Sequence, residues 1–134
     1  MPPALTRSQQ LENILHNLVA HHGFVAAVLT TPLGLPLSSA LRDDRSLSDI
    51  LAAVAPVLEQ AAQRSSTRSG LHEADEVVIR SADRTRLICR FFTIQDQPLI
   101  LASIVPKGVA YRRAMNQALR AIREAWQTTQ ESAL

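Results

Sequence analysis

The sequence is short of several things. It has one cysteine, one tryptophan, one tyrosine and one lysine, and aromatic residues fill only 4% of its 134 positions. With Cys89 alone, an internal disulfide framework and a cysteine zinc site are excluded; the residue fits a reducing compartment and reads as a small buried hydrophobe. There are four glycines, Gly23, Gly34, Gly70 and Gly108, each at an expected element boundary. None belongs to a glycine-rich phosphate loop, and "PKG" lacks the upstream glycine of one. No G-x-S-x-G or H-E-x-x-H occurs. No apolar run approaches the ~20 residues of a membrane span. "MPPALTRSQQ" lacks the basic start and apolar centre of a secretory signal. The expectation is a cytoplasmic protein without membrane contact. Fourteen cations against twelve anions leave a net charge of +2, too near balance to hold a phosphate backbone by itself.

What is present is hydrophobic patterning. At 46% hydrophobic content the chain can bury a sizeable core, and one domain spanning 1–134, with its core at about 5–130, is expected. Thr6 and Gln9 have capping-box spacing. Leu11, Ile14, Leu15, Leu18, Val19 and His22 follow at helical spacing up to Gly23. "FVAAVLT" and "LPLSSA" then read as strands at 24–30 and about 35–40, joined at Thr31-Pro32-Leu33-Gly34 by a type I turn. Pro36 marks the second of them as an edge strand.

A second helix is expected from Ser46, as N-cap, to Arg64, with Leu47, Ile50, Leu51, Val54, Val57 and Leu58 on its core side. Ala52, Ala53 and Pro56 are expected on the outer side, where small residues admit a close partner backbone. Pro56 should bend the helix. "SSTRSGLHEAD" reads as a loop. Three strands follow at 76–81, 86–94 and 98–105. The last two are apolar on both faces, so helices must cover both sides of the sheet. A third helix, 109–130, carries Tyr111, Met115, Ala118, Leu119, Ile122 and Trp126 on one face and Arg112, Arg113, Arg120 and Arg123 on the other.

Chemistry-bearing clusters do not emerge. His16, His21 and His22 share a helix without converging, and His72 falls in a loop. Asp43 and Asp44 read as a solvated turn. No catalytic, cofactor or metal site is therefore expected. The arginine face of the third helix is the best argument for nucleic acid, but Glu124 interrupts it and no aromatic is placed to stack a base.

Three stretches, in this order, resemble the roadblock family, the dynein light-chain type of domain: "LTTPLGLPLSSAL", "LSDILAAVAPVLEQA" and "PLILASIVPKGVAYRRAMNQALRAI". The resemblance runs from about Leu11 to Trp126. It implies an α+β fold of three layers, α/β/α. The central sheet would be antiparallel and five-stranded in the order 2-1-5-4-3, with helix 2 on one face and helices 1 and 3 on the other. It also implies a non-enzymatic platform that pairs as a homodimer, or as a heterodimer with another roadblock protein, and binds a Ras-like small GTPase, in some bacterial members accelerating GTP hydrolysis. On that reading Ala52, Ala53, Pro56, Val77 and Ile79 belong to the dimer interface, and Arg42, Asp43, Asp44, Arg45, Ser48 and Asp49 contact the GTPase. The competing reading is a small-molecule sensor with a profilin-like sheet core, which would need convergent polar groups in an apolar pocket.

Overall fold

The computed structural model describes residues 5–43 and 46–132. Helix α1 (Arg7–His22) opens on a complete capping box. The Thr6 amide donates to Gln9 Oε1 at 3.0 Å and the Gln9 amide to Thr6 Oγ1 at 3.1 Å, satisfying two otherwise orphaned donors. Its apolar stripe is interrupted where Gly23, at φ +78°, turns the chain into strand β1 (Ala26–Thr30).

The turn to β2 (Pro36–Leu41) forms as the sequence predicts. Gly34 donates its amide to the Thr31 carbonyl at 3.0 Å, and Thr31 donates to Leu35 at 3.1 Å. A left-handed glycine in this position matches the turn to the strand twist. It also lets the turn approach helix α2 (Ser46–Arg68), since a Cβ on Gly34 would stand 3.2 Å from the Ala52 carbonyl oxygen. That carbonyl is the one Pro56 cannot bond, having no N–H.

Strands β3 (Glu76–Arg80), β4 (Arg86–Ile94) and β5 (Gln97–Val105) follow, then helix α3 (Arg112–Ser132). All pairings are antiparallel, in the order β2-β1-β5-β4-β3. β2 is an edge strand, as its proline requires, and a register irregularity at Leu29/Thr30 accommodates Pro36 opposite Thr30.

Alternation along β4 and β5 feeds two separate cores. Ile88, Leu99, Leu101 and Val105 pack under α1 and α3 with Leu15, Leu18, Met115 and Ile122, while Cys89, Phe91, Ile100 and Ala102 pack under α2 with Leu51, Ala52 and Ala55. The architecture is α+β in three layers, α2 on one face and α1 with α3 on the other. Each fully buried leucine or isoleucine here adds about 1.5–3 kcal/mol.

Three local expectations are corrected. Helix α2 does not stop at Arg64: residues 65–68 extend it, and only from Ser69 does the chain leave it. Serine and threonine there carry little helix preference, but a helix already nucleated and anchored on the sheet propagates through them. Ser46 is the first helical residue, so its cap position, Arg45, lies outside the described residues. Helix α3 starts at Arg112, three residues later than expected, because Gly108 at φ +81° belongs to a turn in which the Val109 amide donates to the Pro106 carbonyl.

Candidate interaction surface

The two helical layers treat water differently. On the α1/α3 side the helices turn apolar residues inward, and Arg7 closes their seam: its guanidinium donates to the Trp126 carbonyl at 2.9 Å and lies 4.2 Å from the Trp126 ring centre. On the other side, α2 is apolar around more than half of its circumference. Its inward residues are Leu47, Leu51, Ala52, Ala55, Leu58 and Ala62. Ile50 and Val57 remain 53% and 64% exposed, with Ala53 and Ala61 also exposed along the same flank.

This corrects the expected division of the helix. The arc drawn through the largest apolar residues mixes two faces, and the structure sends Ile50 and Val57 outward. Ala52 turns inward and is 1% exposed, so it packs on the sheet beside Gly34 and is not available to a partner. The inward arc carries all three leucines of the helix's first four turns, Leu47, Leu51 and Leu58, and so buries more apolar surface than one centred on Ile50 and Val57 would. Ala53 faces solvent as expected, and Pro56 is half-buried.

Next to α2, β3 forms the other edge of the sheet and, among the described residues, pairs only with β4. Val77 is half-buried in the α2 core, while Val78 and Ile79 are 43% and 45% exposed. The strand is held in place by a side chain the sequence reading overlooked. Gln63 on α2 donates to the Ala74 carbonyl at 2.8 Å and accepts from the Ala74 amide at 3.0 Å, imitating a strand partner for the loop that leads into β3. The Phe91 amide then donates to the Asp75 carbonyl at 2.8 Å. An extended edge with exposed apolar residues is a template for strand pairing unless something covers it.

The residues expected to meet a GTPase are distributed as follows. Arg42 is a brace: its guanidinium donates to the Gly23 carbonyl at 2.9 Å and to that of Phe24 at 3.4 Å, tying the end of β2 to the α1–β1 corner. Asp43 is exposed in a bend, and Asp44 and Arg45 lie outside the described residues. Ser48 and Asp49, in the first turn of α2, line a shallow hollow of about 330 Å³ with Ser39 and Leu41. Ser48 and Asp49 are thus brought together, while Arg42 is committed elsewhere.

Several groups are placed where they cannot do chemistry on a ligand. Cys89 is 1% exposed and burial pushes its thiol up to about 12, so it stays protonated and inert. Among the described residues no group of three or more His, Cys, Asp or Glu side chains is arranged to hold a metal. The space between α2 and the sheet, where a sensor pocket would lie, is filled by Leu51, Ala52, Ala55, Phe91 and Ile100. The arginines of α3 do not act as one row either. Arg123 donates to the Thr93 carbonyl at 3.0 Å and Arg112 lies 5.9 Å from the Tyr111 ring centre, whereas Arg120 is exposed. Among the described residues no helix is long and apolar enough to cross a membrane.

Comparison with known proteins finds no matching family model and no matching curated protein. Solved structures do match. Myxococcus xanthus MglB superposes with a TM-score of 0.77 at 13% identity, covering 96% of each chain. The gliding protein MglB of Thermus thermophilus superposes with a TM-score of 0.74 at 15% identity, covering 93% of this chain and 97% of that one. A Roadblock/LC7 domain from Streptomyces avermitilis gives 0.70 at 19% identity, covering 87% of this chain and 95% of the other. The chain has the roadblock fold.

Proposed function

We propose that this protein is a dimeric, non-enzymatic platform that binds and regulates a Ras-like small GTPase in a bacterial polarity, motility or signalling system. The observation that carries the dimer is the exposed apolar flank of α2, with Ile50, Ala53 and Val57, beside the uncovered edge of β3. Pairing β3 with its two-fold mate completes its backbone hydrogen bonds, and a two-fold axis lets the α2 flanks meet.

The sequence of β3 supports one register. In Glu76-Val77-Val78-Ile79-Arg80, antiparallel pairing centred on Val78 sets Glu76 against Arg80 of the partner subunit at both ends and Val77 against Ile79 between them. Slipping by a residue breaks that charge match and turns apolar side chains to the wrong face. A second roadblock chain with a complementary edge would satisfy the same geometry as a heterodimer.

The GTPase partner rests on the roadblock resemblance and on the structural likeness to MglB proteins. The contact runs over Asp43, Asp44, Arg45, Ser48 and Asp49 at the start of α2. Arg42, held by two carbonyls, supports this surface from behind. If hydrolysis is accelerated, it proceeds through ordering of the GTPase's own residues, with no arginine inserted from position 42. A platform that reads the nucleotide must fit the γ-phosphate-ordered switch segments better than the relaxed ones.

Nucleotide-dependent capture from source-cell lysate, with the bound proteins identified by mass spectrometry and their affinities for the GDP and GTP states then measured, tests the reading. Preference for the GTP form supports it, and equal affinity reduces the protein to a constitutive scaffold. An Arg42→Ala or Arg45→Ala variant that loses a thousandfold or so in stimulated hydrolysis, the scale of an arginine finger, overturns the indirect mechanism.

A further inference from the structure

One end of the molecule gathers four cations, of which the fold uses one, Arg86. A hollow of about 610 Å³ opens between the β3–β4 turn and the loop before α3, lined by Arg80, Arg84, Arg86, Lys107 and the chain from Gly108 to Ala110. No carboxylate lines it. Its volume falls within the ~300–1,000 Å³ usual for small-molecule sites. The side chains of Arg80, Arg84 and Lys107 make no hydrogen bond or ion pair among the described residues.

Arg86 is the fixed member. Its guanidinium donates to the Pro106 carbonyl at 2.8 Å and the Val109 carbonyl at 2.5 Å and lies 5.5 Å from the Tyr111 ring centre, which sets the loop and one positive charge in a defined relation. Helix α3 then begins with Arg112 and Arg113 and has no acid in its first turn, so two more cations sit at the positive end of a helix dipole, where acids are preferred. Two acids stand outside the lining. Asp83 accepts from the Ser81 hydroxyl and the Thr85 amide within the turn, and Glu76 stands at the far end of β3, where its charge bears on Arg112.

The position of Arg84 makes the accumulation harder to explain as a neutral surface. The turn from Ser81 to Thr85 repeats the hydrogen bonds of the turn from Thr31 to Leu35, with Arg84 at φ +75° where the other has Gly34 at φ +82°. Glycine adopts that conformation without penalty and arginine does not. Arginine here adds backbone strain and like-charge repulsion, and the described residues offer it no side-chain partner.

We propose that this hollow is a binding site for a phosphate-bearing anion, held by Arg84, Arg86 and Lys107, with Arg80 at its rim. A chain of phosphates would neutralise the cluster and accept charge-assisted hydrogen bonds from the guanidiniums. In the dimer proposed above, Glu76 of the partner subunit stands opposite Arg80, and the other three cations remain for the ligand. The site does not depend on the GTPase reading.

Titration of the protein with tripolyphosphate, followed by calorimetry and by backbone amide shifts, tests it. Saturable binding is expected, with shifts centred on residues 80–86 and 107–112. Arg84→Gly is the informative variant, since it relieves the strained backbone and should hold or raise thermal stability while weakening binding about fivefold or more, the scale of one exposed charge-assisted contact. Lys107→Ala should weaken it similarly and Arg120→Ala, on the exposed face of α3, hardly at all. Co-sedimentation with phosphatidylglycerol vesicles separates the sources. Vesicle binding that is lost in Arg84→Gly and competed by tripolyphosphate identifies lipid headgroups, and its absence alongside tripolyphosphate binding identifies a soluble phosphate compound. Absence of saturable tripolyphosphate binding, or an Arg120→Ala loss equal to that of Arg84→Gly, overturns the proposal.

Discussion

Helices α3 and α2 are of similar length and lie on opposite faces of one sheet, yet they use their apolar residues differently. Along α3, Ala114, Met115, Ala118, Leu119, Ile122 and Ala125 are all buried, and the exposed positions are mostly polar or charged. Along α2, three leucines and three alanines turn toward the sheet, while Ile50 and Val57 point into solvent. A helix that seals a core keeps its large apolar groups for that core. One that exposes them beside an open strand edge leaves a surface suited to a partner.

The largest effect is expected inside the core. Leu101, 0% exposed in the middle of β5, supports the α1/α3 side; Leu101→Ala should cost about 2–5 kcal/mol in denaturant unfolding. A loss under about 0.5 kcal/mol, typical of a surface change, would contradict its burial.

Carboxylates placed on the two helices sharpen the contrast. Val57→Glu or Ala53→Glu should weaken self-association by about tenfold to a hundredfold, as for an interface anchor, with far-UV circular dichroism unchanged. Gln127→Glu on the exposed side of α3 should leave association intact. Equal effects from the two helices would remove the distinction between them.

A smaller effect is expected at the ends of β3. Glu76→Lys or Arg80→Glu should each weaken the dimer by about 0.2–1 kcal/mol, and the double swap should recover most of the loss, as for a cross-strand charge pair. Failure of the double variant to recover would displace the proposed register.

The smallest concerns pH. Partial burial raises the pKa of Glu59 above its ordinary 4.5. The folded protein then binds that proton more tightly than the unfolded chain, so the contribution is fully favourable below about 4.5 and is lost as pH rises through the folded value. Glu59→Gln should therefore be slightly more stable than wild type near neutral pH. The gain should disappear toward pH 4 in thermal melts, a value about where an ordinary glutamate titrates.

Much of this architecture is legible in local chemistry. The Thr6–Gln9 box, the Pro32/Gly34 turn and the two-faced strands β4 and β5 each state their structure within a few residues, because caps, φ restrictions and alternation act locally. The sidedness of α2 is not legible this way. Two apolar arcs compete on that helix, and the choice between them depends on the shape of a sheet assembled from distant strands. Gln63 is hidden for a related reason, since its bonds to Ala74 cross a loop and leave no periodic signal. The basic hollow draws on β3, the β3–β4 turn, the start of β4 and the loop before α3, so its charges come together only in the folded chain.

Burial of the exposed α2 flank and the β3 edge against a second copy is tested most directly by the solution mass of the wild-type chain. Light scattering at micromolar concentration should give about 29 kDa, twice the 14.7 kDa of the chain, falling toward the single-chain mass in Val57→Glu. A wild-type mass of 14.7 kDa, unchanged by Val57→Glu, would contradict it.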